Sequence, residues 1–224
     1  MSNYAEVVVL VEGKTEQIFI QNIIAPYLVE KHIFMTPIII SKPGQKGGDI
    51  KFSRVTNDIK IHLKQRPDTF LTIFVDFYGI QKDWPALKEA KSQQLPEDKA
   101  EKLNSATKNS VNQMFLLQDS ERRFIPYVSM HEFEALLFSE PQILANHLQI
   151  PRNNIDKIIS KFGKPENIDD SPHSSPSKRI EKLSPRFKKT STGIAIAKAI
   201  GLNRIREQCP IFNKWLTEIE CINF

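Results

Sequence analysis

The sequence predicts an α/β protein, a mostly parallel sheet flanked by helices, with a C-terminal helical extension. Three observations predict it. Val7-Val8-Val9-Leu10-Val11 is a continuous apolar, largely β-branched run that stops at Glu12-Gly13, as a strand buried on both faces does. Further short apolar runs alternate with segments of helical spacing, the pattern of parallel strands joined by crossover helices. Beyond His131 every segment reads as helix or loop. The expected division is therefore an α/β domain over 1–140 and a basic helical extension over 141–224 packed on it.

The elements follow in order. Thr15 to about Glu30 has apolar residues at Ile18, Phe19, Ile23 and Ile24, a helical spacing that ends or kinks at Pro26. Ile38-Ile39-Ile40 reads as a second strand, and Pro43–Asp49 is the most glycine-dense loop. Val55–Leu63 returns to helical spacing. Phe70–Asp76 is a third strand, broken afterwards by Gly79 and Pro85. Glu97–Leu117 reads as a polar-rich helix, and Phe124–Val128 as a fourth strand whose Pro126 suits an edge or a bulge. Short helices are expected at Pro151–Phe162, Ile180–Leu183, Gly193–Ile200 and Ile211–Ile219, interrupted by the Ser/Pro stretch Ser171–Ser177.

Composition excludes several classes. With 224 residues, 40% hydrophobic and 25% charged, the chain is long enough and apolar enough for a sizeable core. No run approaches the roughly 20 apolar residues of a membrane span, and no basic segment precedes an apolar stretch at the start. Cys209 and Cys221, the only cysteines, have no CxxC or Cys/His spacing, which argues against zinc and fits a reducing cytoplasm. GxxxxGK[ST], GxGxxG and GxSxG are missing, and His131-Glu132 lacks the second His of HExxH.

Charge is uneven. Arg152 to Arg206 holds 13 Lys/Arg against 5 Asp/Glu, a net of +8, so the remainder sums to −3 against +5 for the whole chain. An acidic part joined to a basic part is what a metal-carboxylate site beside a phosphate-binding surface requires. A solvated lysine-rich surface gives the same count.

Functional groups of open α/β sheets collect beyond the carboxyl ends of the strands. Glu12 follows the first strand, Glu16 lies four residues on, Asp76 ends the third strand, and Glu132 and Glu134 follow the fourth. Carboxylates delivered from separate strand ends make a site for a hard divalent cation. Each has a structural alternative: Glu12 and Glu16 as acids favouring a helix N-terminus, Asp76 as the cap of a turn, Glu132 and Glu134 as first-turn acids of a helix.

Val11-Glu12-Gly13-Lys14-Thr15-Glu16 after an apolar strand, with Val75-Asp76 ending a later one, resembles the Toprim domain of topoisomerases, primases and OLD-type nucleases. Asp76-Phe77-Tyr78-Gly79, Asp83-Trp84-Pro85, His131–Phe138, Pro176–Ile180 and Cys209–Leu216 extend the resemblance, over nearly the whole chain, to a bacterial Toprim-like family of stand-alone proteins. The resemblance implies a Toprim-like sheet and a nuclease that hydrolyses phosphodiesters with Mg2+ or Mn2+. It casts Glu12 and Asp76 as catalytic and metal-binding, Glu16 as the extra acid of OLD-like nucleases, and Glu132 or Glu134 as a further ligand. Lys178, Arg179, Lys188 and Lys189 would grip flanking phosphates of a nucleic acid. An ABC-type ATPase encoded separately, a role in defence against foreign nucleic acid such as phage, a cytoplasmic location and a homo-oligomer complete the expectation. Tyr78 stands where the family has the second Asp of a D-x-D pair. That departure supports the alternative, a catalytically inactive Toprim-fold partner of an ATPase.

Overall fold

A computed structural model of the protein describes residues 3–41, 50–168 and 174–223. The glycine-rich loop Pro43–Asp49 and residues 171–173 of the Ser/Pro stretch lie outside the described residues.

The chain enters through β1 (Ala5–Val11), followed by α1 (Lys14–Phe19), a π-helical turn (Ile20–Ile24) and α2 (Ala25–Val29). The widened turn falls just before Pro26, which has no N–H to donate into the helix ladder. β2 (Ile33–Ile39), α3 (Phe52–Gln65), β3 (Thr69–Asp76), α4 (Leu87–Lys91), α5 (Pro96–Phe115), α6 (Ser120–Arg123) and β4 (Phe124–Ser129) follow. The remaining described residues carry helices only: α7 (Pro141–Leu148), α8 (Asn153–Phe162), α9 (Pro176–Leu183), α10 (Ile194–Ile200), α11 (Leu202–Gln208) and α12 (Pro210–Glu220). His131–Phe138, read as a helix start, contributes a 3-10 helix at Phe133–Ser139. No described helix is long and apolar enough to cross a membrane.

The four strands form one sheet in the order β2-β1-β3-β4, with β1 parallel to both β2 and β3. The expected α/β sheet is thus present, and Pro126 does lie on an edge strand. Central β1 and β3 are buried almost throughout, which is why they read as unbroken apolar runs. Edge strand β2 alternates buried and exposed residues and carries Pro37 opposite Val9, so its first half lacks that signature.

Two compact units emerge: Met1–Val128 with Trp215–Phe224, and Ser129–Lys214. This division differs from the expected 1–140 and 141–224 at both ends. The segment after β4 belongs with the helical unit, while the C-terminal end belongs with the sheet. Trp215 explains the second difference: its ring stacks on Tyr127 at 4.9 Å, meets Phe74 edge-on at 5.5 Å, and its Nε1 donates to Thr72 Oγ1 at 2.9 Å. Burying an indole of this size with its N–H satisfied is worth several kcal/mol.

Candidate functional site

The parallel pairing of β1 and β3 aligns Val11 with Phe74, so the two strands deliver their next residues to one edge of the sheet. Glu12 and Asp76 meet there. The backbone N–H of Asp76 donates to Glu12 Oε2 at 3.4 Å. α1 begins two residues after Glu12, and its first turn brings Glu16 round so that its Oε2 lies 3.4 Å from where a Cβ on Gly13 would stand. Glu16 is buried.

Beyond Asp76 the chain turns back tightly. Gly79 N donates to Asp76 O at 2.9 Å, and the turn is tied to the segment before α3 by Ile50 N to Gly79 O at 2.8 Å and Gln81 N to Ile50 O at 2.9 Å. Asp83 then caps α3, accepting from Phe52 N and Ser53 N, both at 3.1 Å, and from Ser53 Oγ at 3.0 Å. Burial pushes the Asp83 carboxyl up, but these donors outweigh it and hold it below its usual range. Asp83-Trp84-Pro85 is therefore structural: Asp83 starts a helix, and Trp84 packs on Phe52 at 5.3 Å and donates to Thr107 Oγ1 at 2.9 Å. Tyr78 is partly exposed, its ring 5.9 Å from that of Phe77, and Lys99 places its ammonium 5.9 Å from the Phe77 ring. From the sequence Gly79 is a strand breaker and part of the Asp76-Phe77-Tyr78-Gly79 motif, with no contact to Glu12 indicated, and Lys99 carries no signal. A glycine three residues after a strand-ending acid was the available signal for the first; nothing in the local sequence signals the second.

Carboxylate oxygens are the donors that Mg2+ and Mn2+ select, so the chemistry of Glu12, Glu16 and Asp76 fits such an ion. Among the described residues no group of three or more His, Cys, Asp or Glu side chains is arranged to hold a metal. The sheet edge brings the Glu12 carboxylate to the backbone of Asp76, with Glu16 four residues on from Glu12 in the first turn of α1.

In the helical unit the remaining candidate acids each have a partner. Glu132 Oε2 accepts from Ser177 N at 2.9 Å, at the start of the helix that carries Lys178 and Arg179. Glu134, 1% exposed, pairs with Lys189 Nζ at 2.8 Å. Burial drives the Glu134 carboxyl up to about 7, against the charge and hydrogen bond of Lys189, with the Glu132 charge pushing the same way as burial. Lys178 bridges to Glu181 at 2.7 Å and Arg179 lies over the Phe162 ring at 4.8 Å, while Lys188 is exposed. Cys209 is buried 3.3 Å from Ser139 Oγ, and burial pushes its thiol well up, so it is inert; Cys221 is exposed.

A family described as a domain of unknown function, DUF4276, matches residues 11–220. Among solved structures the chain is similar to the C-terminal region of the Burkholderia pseudomallei OLD protein, at 12% identity and a TM-score of 0.45, over 97% of this chain and 96% of that one. It is also similar to the C-terminal region of the Xanthomonas campestris pv. campestris OLD protein in two structures. These give 13% and 14% identity and TM-scores of 0.42 and 0.43, each over 98% of this chain and 96% of that one. No curated protein matches.

Proposed function

The chain belongs to the DUF4276 family, and we propose that it is a divalent-metal-dependent phosphodiester hydrolase of Toprim type that acts on nucleic acid. One observation carries the reading: acids stand at the ends of two neighbouring parallel strands, and the backbone N–H of Asp76 donates to the Glu12 carboxylate. The resemblance of Val11–Glu16 and Val75-Asp76 to Toprim enzymes supports it from the sequence side.

Glu12, Glu16 and Asp76 would hold Mg2+ or Mn2+. Glu132 and Glu134, further ligands on the resemblance alone, each hold a contact within their own unit, to Ser177 N and to Lys189. When bound, the ion supplies positive charge to the scissile phosphate and acidity to a water. Glu12 is the general base of the proposal: with Oε2 oriented by the Asp76 N–H, Oε1 takes the proton of the attacking water. Lys178, Arg179 and Lys188 contact flanking phosphates; Lys189 does so only by sharing its ammonium with Glu134. A separately encoded ABC-type ATPase partner, defence against phage and a cytoplasmic homo-oligomer are proposed on the resemblance alone.

The second reading, an inactive Toprim-fold partner of an ATPase, is favoured by Tyr78, a neutral phenol at the position of a ligand. One assay separates the two. Wild-type protein, Glu12→Gln and Asp76→Asn are incubated with mixed DNA and RNA in Mg2+ or Mn2+, with and without a co-expressed ATPase. Cleavage by wild type alone among the three supports the hydrolase; no cleavage by any of them under all conditions supports the inactive partner.

A further inference from the structure

The Glu12 carboxylate occupies the space where a side chain on Gly79 would begin. A Cβ on Gly79 would stand 2.2 Å from Glu12 Oε2 and 2.8 Å from both Cδ and Oε1, far inside any real contact distance. The close approach needs a residue without a side chain.

The turn that bears Gly79 has little room to retreat. Its N–H is bonded to Asp76 O, its C=O accepts from Ile50 N, and the next residue, Ile80, forms a parallel bridge with Ile50. Phe52 and Ser53, just beyond Ile50, are fastened in turn by Asp83. Glu12 is different: its carboxylate is the far end of a flexible side chain. A methyl group on Gly79 is therefore accommodated by moving the Glu12 carboxylate, not the turn.

We infer that Gly79 is a positioning residue: its bare backbone is the seat that holds the Glu12 carboxylate against the N–H of Asp76, and so sets where Glu12 can meet a divalent cation. The inference rests on the metal-dependent reading for its cation and on geometry alone for its seat. It also accounts for how an Asp-Phe-Tyr-Gly turn serves a site whose family counterpart has a second Asp at Tyr78. The turn contributes a surface for Glu12 where that counterpart contributes a ligand.

The test uses the full chain and four proteins: wild type, Gly79→Ala, Glu12→Ala and the double variant. In the metal-free state, the amide NMR signal of Asp76 reports whether Glu12 is seated. Gly79→Ala is expected to move that signal as Glu12→Ala does, and to add nothing in the Glu12→Ala background, because the clash has gone. Calorimetric titration with MnCl2 is expected to give a loss of roughly 10- to 100-fold in affinity for Gly79→Ala, the range for removing an orienting contact around a metal ligand. An unchanged Asp76 signal in Gly79→Ala overturns the seat. If Gly79→Ala fails to fold, melting of the double variant decides: folding restored by Glu12→Ala locates the clash at Glu12, and failure of both overturns the inference. Wild type that binds no Mn2+ while the metal-free pattern holds defeats the metal reading and leaves the seat standing.

Discussion

Lys189 Nζ sits 2.8 Å from the Glu134 carboxylate, which is 1% exposed, while the lysine side chain remains 41% exposed. The pair is thus asymmetric: the acid carries the larger burial cost and the base stays in contact with water. That asymmetry dictates its pH behaviour.

The folded protein holds a proton on Glu134 up to about pH 7, against a reference value of 4.5 for an unfolded chain. Between those values the unfolded state releases a proton that the folded state keeps, so stability falls as pH rises through the window and is lost above it. The full effect is about 3 kcal/mol at most. Urea unfolding at pH 5 and pH 8 should show wild type losing more stability across the window than Glu134→Gln. Lys189→Met should match wild type at pH 5 and be weaker by about 1–2 kcal/mol at pH 8. Equal losses at both pH values would mean that Lys189 acts through packing alone.

Removing either strand-end acid should abolish the response to metal. Millimolar Mg2+ or Mn2+ raises the melting temperature of wild type if the ion binds only the folded state, by the equivalent of about 2.7 kcal/mol at a hundredfold excess over Kd. Glu12→Gln and Asp76→Asn should show no such rise in a thermal-shift assay, with metal-free melting close to wild type.

Tyr78→Asp tests the departure from the Toprim pattern directly. Placing a carboxylate two residues after Asp76 adds a hard oxygen donor at a partly exposed position. Mg2+ affinity, measured by competition with Mn2+, should rise tenfold or more. No gain would indicate that position 78 faces away from the proposed ion.

For the basic stretch the expectation is tested on its paired residues. Lys178→Ala/Arg179→Ala should weaken nucleic-acid binding across all sequences and lower the salt slope by about one unit per lost phosphate contact. Unchanged affinity and slope would assign the stretch to a solvated surface or a protein interface.

Arg123 offers a stability test independent of function. It is 3% exposed and donates only to backbone carbonyls: Thr69 O at 2.9 Å, Leu63 O at 3.1 Å, Gln118 O at 2.8 Å, and Arg66 O. Arg123→Met removes the guanidinium donors from Thr69 O, Leu63 O and Gln118 O, while Arg66 O keeps Thr69 N and Oγ1, and should cost about 3 kcal/mol in chemical denaturation. A loss below about 0.5 kcal/mol would show that water replaces the guanidinium at this site.

What the sequence determined by itself is the set of features governed by neighbours in the chain. Buried central strands must be continuous apolar runs, so β1 and β3 were legible, as were the acids that close them and therefore lie at one edge of a parallel sheet. β2 was legible only from Ile38 onward, because on an edge strand half the positions face water and Pro37 interrupts the run. Tertiary structure alone decided which partners those acids take. That Glu134 meets Lys189, Glu132 meets Ser177 N and Glu12 rests on Gly79 depends on how segments distant in the chain pack, and periodicity carries no information about that. The C-terminal return was hidden for the same reason: Trp215 looks like any apolar helix residue until Tyr127, Phe74 and Thr72 are brought around it.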